Sequence, residues 1–191
     1  CKRLTSGMGK SGEQEAKGTD SLVMISPHGE EIRKEMTRAF EPWYEKKTGR
    51  KVKIEWIDQG GASDDLKYIK SKFETEKDGI GIDVFNGGGI DPFVELARMG
   101  LLVPVDIDKK ILDALPAELN GVPLYDKEHR WFGNSVAGYG ILKNKVVASK
   151  LGLPDVKTWT DLADPKLLGW VAVADPRHSS SSHLLFELVL Q

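Results

Sequence analysis

"SLVMISPHGEEIRKEM", residues 21–36, passes from a short apolar run through Ser26, Pro27, His28 and Gly29 into a charged stretch with helical spacing. Leu22 to Ile25 reads as a buried strand of a parallel sheet, where both faces are covered and the run is apolar throughout. Beyond the corner, Ile32, Met36, Phe40, Trp43 and Tyr44 fall on one helical face with charges between them, which predicts an amphipathic helix. Gly49 is placed to end it.

The same unit recurs downstream. Lys51 to Ile57 alternates Val52, Ile54 and Trp56 with charged residues, as a strand with one drier face does. "DQGGASDD", residues 58–65, then opens a second helix carried on by Leu66, Ile69 and Phe73. "IDVFNGGGIDPF", residues 82–93, is a strand, a glycine-rich turn and a helix start with Asp91 and Pro92 as N-cap and first helical residue. Gly100 closes that helix. Three strand-to-helix units in succession predict an α/β fold with a mainly parallel sheet. Further on, a short helix is suggested at Ile111 to Leu115, glycine-broken strands in 130–145, two short amphipathic pieces in 145–169 and a strand at Trp170 to Ala174.

The chain of 191 residues is 40% hydrophobic, enough to bury a core. Its 27 Lys and Arg against 29 Asp and Glu leave a net charge of -2, with no surplus of cations to neutralise a nucleic-acid backbone. No apolar run approaches the roughly 20 residues a spanning helix needs. The single cysteine, Cys1, excludes an intrachain disulfide and a Cys-rich zinc site. Cys1 precedes about twenty residues of Gly, Ser, Lys and Glu that cannot offset their ordering entropy by burial. Residues 1–21 therefore read as a tether behind a lipidatable cysteine, like the mature end of a bacterial lipoprotein.

At each strand-to-helix corner the sequence sets small, hydroxylated or amide residues: Ser26 to Gly29, Gly60 to Ser63, Asn86 to Gly89, and Ser179 to Ser182. In a parallel sheet such corners lie at the carboxyl ends of the strands, where open sheets bind ligands. Helix starts there present unpaired N–H groups and roughly half a positive charge, which suits an anionic oxygen. Any one corner is ordinary capping and turn chemistry; four together argue for a ligand. His28, in the first corner, is balanced between a ligand role and a capping role. His178 is flanked by serines, His183 falls inside a helix, and His129 sits in a charged turn that reads as solvent-facing. Trp131 and Trp159 read as packing residues, and Asp64 with Asp65 as a solvated first turn. Nucleotide-loop, nucleophile-elbow and HExxH zinc patterns are absent, and nothing forms a nucleophile, base and orienter set. No enzyme activity, cofactor or metal site is expected.

The order "HGEEIRKEMTRAFEPWYEKKTGRKVKIEW", "DVFNGGGIDPFVELARMGLLVPVD", "GYGILKNK" and "TWTDLADPKLLGWVAVADPRHSSSSH" resembles the extracellular solute-binding proteins of bacterial ABC importers. Within that group it is similar to the type II periplasmic binding proteins often labelled iron(III)-binding, over about Leu22 to Gln191. The resemblance implies two α/β lobes closing on a solute, with a first lobe at 22–135, a crossover at 136–145 and a partial second lobe at 146–191. It implies contacts from Ser26, His28, Gly61, Ser63 and Gly88, with Asn134 and Ser135 near the crossover, and from Arg177, Ser179, Ser180 and Ser181 of the second lobe. It also implies an ABC permease as partner, a lipid anchor at Cys1 as the sole attachment to the membrane, and a place outside the cytoplasm. The last helix is apolar around most of its circumference, so the second lobe is expected to be incomplete.

Iron-binding relatives set an acidic ligand in the third corner and a tyrosine pair later in the second lobe. Here that corner is Asn86 to Gly89, and ferric iron prefers hard anionic oxygens. The preferred ligand is accordingly a small anionic organic solute, such as a sugar phosphate or phosphonate. Ferric iron is the alternative, and an enzyme on the same scaffold or a purely structural or sensory lipoprotein are the readings of another class.

Overall fold

The computed structural model describes residues 18–190. Cys1 and most of the 1–21 tether lie outside the described residues. Two compact units are separated between Pro92 and Phe93; the lobe and crossover limits expected above remain a matter of proposal.

The first unit is built on strand β1 (Thr19–Ile25), helix α1 (Glu30–Thr48), strand β2 (Lys51–Ile57), helix α2 (Ala62–Thr75) and strand β3 (Val84–Phe85). β1 begins at Thr19, three residues before the apolar run, because it pairs along its whole length with β2, from Thr19 opposite Lys51 to Ile25 opposite Ile57. The sheet order is β2-β1-β3 and both pairings are parallel. β3 is only two residues long. Just before it, the Asp83 carboxylate accepts from Val23 N at 2.8 Å while Asp83 N donates to Val23 O at 2.9 Å, so a side chain takes over a ladder position.

Gly49 closes α1 in the left-handed conformation, φ 72°, with its N–H donating to Glu45 O. At the amino end of the sheet, Arg50 and the Tyr44 hydroxyl both donate to the Asp20 carboxylate, Arg50 through Nε at 2.8 Å and Nη2 at 2.6 Å, Tyr44 at 2.9 Å. Those donors hold Asp20 below the usual carboxylate range. Trp56 Nε1 donates to Thr37 Oγ1 at 2.9 Å, tying β2 to α1. Ile25, in the central strand, is fully buried, a contribution of roughly 1.5–3 kcal/mol by area.

Helix α3 (Asp91–Arg98) crosses the division, and Gly100 follows it at φ 72°. The second unit continues with helix α4 (Lys109–Ala114), the hairpin strands β4 (Glu118–Leu119) and β5 (Val122–Pro123), helix α5 (Lys145–Lys150), two short 3-10 helices (Thr160–Ala163 and Pro165–Leu167) and helix α6 (Ser180–Leu190). The hairpin turns on Asn120 and Gly121, both at positive φ (51° and 81°), as a two-residue type I′ turn requires. The stretches 130–145 and Trp170 to Ala174, read above as strands, form no ladder among the described residues beyond an isolated bridge of Phe132 with Tyr125. A strand is defined by its neighbour, and apolar alternation alone does not supply one. His129, expected to face solvent, is half-buried with its ring against Tyr125 and Phe132.

Candidate functional site

Because β2, β1 and β3 run parallel, their carboxyl ends emerge on one edge, and the three corners of the first unit gather there. Backbone hydrogen bonds lace them together: Ser26 N donates to Ile57 O and Asn86 N to Ile25 O, each at 3.0 Å. Ser26 is fully buried. Its Oγ accepts from His28 N at 3.2 Å and lies 2.9 Å from His28 Nδ1. The ring is thus tied to the buried hydroxyl through Nδ1.

From the third corner, Gly87 meets that ring. Its φ is 102°, and a Cβ there would overlap Cε1 and Nδ1 of His28. Gly88 follows at φ 90°, so two consecutive residues occupy the region that glycine enters without steric cost. Asn86 Nδ2 reaches Met36 Sδ of α1 at 3.4 Å.

In the second corner, Asp58 turns the chain by accepting from Gly60 N at 2.8 Å and binds Arg33 of α1 at 3.0 Å. Gly61 is the buried, extended N-cap of α2 without a side-chain cap, and Ser63 is half-buried in the first turn. Asp65 departs from the expected solvated turn. It is fully buried, on the same stripe as Ala62 and Ile69. Its Oδ1 accepts from Gln59 N at 3.2 Å, while Oδ2 has no hydrogen-bond partner. Burial above all, then the neighbouring carboxylates Asp58 and Asp64, pushes this acid up to about 6; Gln59 N and Arg33 pull the other way. The helical spacing of Ala62, Asp65 and Ile69 marks this burial in the sequence.

The structure therefore brings Ser26, His28, Gly61, Ser63 and Gly88 to one edge of one sheet, and adds Gly87 and Asp65 to them. The other candidates lie in the second unit. Asn134 and Ser135 are exposed, with Ser135 Oγ donating to Asn134 Oδ1 at 3.3 Å. Arg177 is exposed and its guanidinium forks onto Asp175, Nη2 to Oδ2 at 2.6 Å and Nε to Oδ1 at 3.0 Å. That pairing holds Asp175 far below the usual carboxylate range and raises Arg177. At the start of α6, Ser179 Oγ accepts from Ser182 N at 3.3 Å; Ser180 and Ser182 are buried and Ser181 is exposed. The second unit also holds a cavity of about 450 Å³ with an apolar lining that includes Ile141, Val147, Leu153, Trp159, Trp170 and Leu185. None of the expected ligand residues lines it.

Comparison with known proteins gives three similarities. Residues 26–169 match the family model described as bacterial extracellular solute-binding protein. An uncharacterized protein of Haemophilus influenzae (strain ATCC 51907 / DSM 11121 / KW20 / Rd) is 30% identical, over 98% of this chain and 50% of its own length. The chain thus spans about half the length of that curated relative. Among solved structures, a ferric binding protein from Campylobacter jejuni superposes with a TM-score of 0.41 at 27% identity, over 58% of this chain and 30% of that one.

Proposed function

The chain belongs to the bacterial extracellular solute-binding proteins, and from that membership we propose that it acts in an ABC importer, capturing a small anionic solute and delivering it to the permease. The family is one of binding proteins, which points away from catalysis. The place of action on this reading is outside the cytoplasm.

One observation carries the choice of an anion: the corners after β1, β2 and β3 share an edge and present an uncapped helix start, a hydroxyl-braced imidazole and bare glycine backbone. With the Ser26 hydroxyl donating to Nδ1, the imidazole proton sits on Nε2 as a donor. Backbone N–H groups of the α2 start, with its partial positive charge, favour negative oxygen. Glycine at 87 and 88 lets a solute approach the main chain.

A phosphate or phosphonate group, with several oxygens for several donors, fits this inventory, and a sugar phosphate is the preferred solute. Ferric iron is less well served, since the third corner offers an amide and glycines where a hard cation asks for carboxylate.

Thermal unfolding in the presence of candidate solutes tests the reading, because a ligand held only by the folded state raises the transition. Glucose 6-phosphate or an alkylphosphonate is expected to raise Tm by several degrees, and ferric citrate to leave it unchanged. The reverse pattern would establish the ferric alternative, and a flat response to all three would remove the receptor reading for these solutes.

A further inference from the structure

Asp65 is the one fully buried ionisable side chain among the described residues, and the transport reading gives it no part. It stands in the first turn of α2, immediately behind the corner that carries Gly61 and Ser63. One of its oxygens is satisfied by Gln59 N at 3.2 Å; the other has no hydrogen-bond partner. Charged groups act on it from three elements: Arg33 of α1, Asp58 of the loop after β2, and Asp64 of its own helix. The one cation among them is already bound to Asp58 at 3.0 Å.

A buried carboxylate with an orphaned oxygen and two like charges nearby is poorly tolerated as an anion, and the proton is the simplest partner for that oxygen. Protonation leaves Oδ1 accepting from Gln59 N, so the corner keeps its shape in both states and only its charge changes. That charge stands behind the same N–H groups that the proposed function points at a negative solute. Removing it strengthens the field an anion meets; conversely, an anion arriving in front makes the proton bind more tightly, because coupling between two sites is reciprocal. The upward displacement of this acid, to about 6, puts the exchange within reach of ordinary pH.

We propose that Asp65 couples capture of an anionic solute at the carboxyl edge of the sheet to uptake of one proton on its own buried carboxyl. The proton comes from solvent and goes to Oδ2; no bond in the solute is made or broken. This rests on the anion-receptor reading above and extends it, making the receptor bind its solute more tightly in acid.

The test compares the whole chain with its Asp65→Asn variant, titrating each with glucose 6-phosphate by calorimetry at pH 5.5 and pH 7.5. The solute's own titration is common to both proteins. Only the difference between the two proteins therefore reports on Asp65. The unaltered protein is expected to gain about sixfold more affinity between pH 7.5 and 5.5 than the variant does, the share of a one-unit coupling that falls within this interval for an acid at about 6. The variant is expected to be the tighter binder at pH 7.5. Equal gains in the two proteins overturn the coupling and leave the anion reading standing. Absence of binding by both overturns the coupling and the anion reading together. Should the variant not fold, the carboxyl-carbon chemical shift of Asp65 in the unaltered chain gives the same answer: saturation with glucose 6-phosphate is expected to raise its titration midpoint by about one unit, and an unmoved midpoint overturns the proposal.

Discussion

The imidazole of His28 lies against the α-carbon of Gly87, so that the corner after β3 has no room for a side chain where it meets the corner after β1. The ring is also braced by Ser26 Oγ, 2.9 Å from Nδ1. His28 thus touches both a buried hydroxyl and a bare backbone, which gives the edge an imidazole of defined direction.

Gly87→Ala is expected to push the ring off Ser26 and to strain a backbone at φ 102°. A side chain in that region costs on the order of 1–3 kcal/mol. Gly60→Ala provides the control, since Gly60 has the same φ of 102° with nothing within 4 Å of an added Cβ. Urea unfolding should show a larger loss for Gly87→Ala than for Gly60→Ala. Losing a hydrogen bond to a charged group costs about 1.5–3 kcal/mol, so solute affinity should fall at least about tenfold in the first variant and little in the second. Equal losses of stability and affinity would show that His28 is not positioned by this contact.

Pro42 lies inside α1, far from its first turn, and is exposed. It has no N–H to donate to Arg38 O, and a helix-interior proline costs about 3 kcal/mol relative to alanine. Alanine also frees the unfolded chain, which offsets about 0.4–1 kcal/mol of the gain. Pro42→Ala is therefore expected to raise unfolding stability by roughly 2 kcal/mol, measured by chemical denaturation, with no change in solute affinity.

At the β4–β5 turn the backbone requirement is stricter. Asn120 and Gly121 both hold positive φ, and Asn is among the few side chains that enter this region with local compensation. Gly121→Ala is expected to cost about 1–2 kcal/mol. Hydrogen exchange should show faster opening at Leu119 and Val122, which face each other across the turn, with β1 and β2 unaffected.

What the sequence made legible is what depends on near neighbours. The stripe from Ile32 to Tyr44, the alternation from Val52 to Trp56 and the glycines Gly49 and Gly100 that follow α1 and α3 are local signals, and α1, β2, α2 and α3 stand where the patterns point. β3 is shorter than its apolar run because Asp83 completes the pairing with β1 through its side chain, a substitution no pattern announces. Trp170 to Ala174 has the composition of a strand and no ladder, since pairing is a property of two segments. The Asn120-Gly121 dipeptide is itself a local signal for a tight hairpin turn, and both residues hold the positive φ that it requires. At the candidate site, residue types were readable but mutual contacts were not: three glycines in a row mark a turn, yet only the fold says that the first of them touches His28. Asp65 was hidden by a rule that is usually right, that acidic residues in a first helical turn face water; its place on the Ala62–Ile69 stripe is the stronger signal.

The same residue gives the sharpest dependence of stability on pH. For Asp65 the acid is raised in the folded protein from 3.8 to about 6, chiefly by burial, so the folded state holds this proton more tightly than the unfolded chain does. Its contribution is therefore fully present below about pH 3.8 and is lost as pH rises through about 6. A shift of this size corresponds to about 3 kcal/mol between those limits. Asp20, Asp126, Asp155, Asp161 and Asp175 are displaced downward and contribute stability that disappears as pH falls through their lowered values, below the Asp65 window. Comparison with Asp65→Asn cancels their contributions together with any fixed cost of the amide in the buried niche. The change in unfolding free energy from pH 4 to pH 7 should accordingly be more negative in the unaltered protein than in the variant, by an amount on the order of 2–3 kcal/mol. Parallel curves from pH 4 to pH 7 would mean that Asp65 ionises in the folded protein as it does in the unfolded one, and that its orphaned oxygen is reached by water.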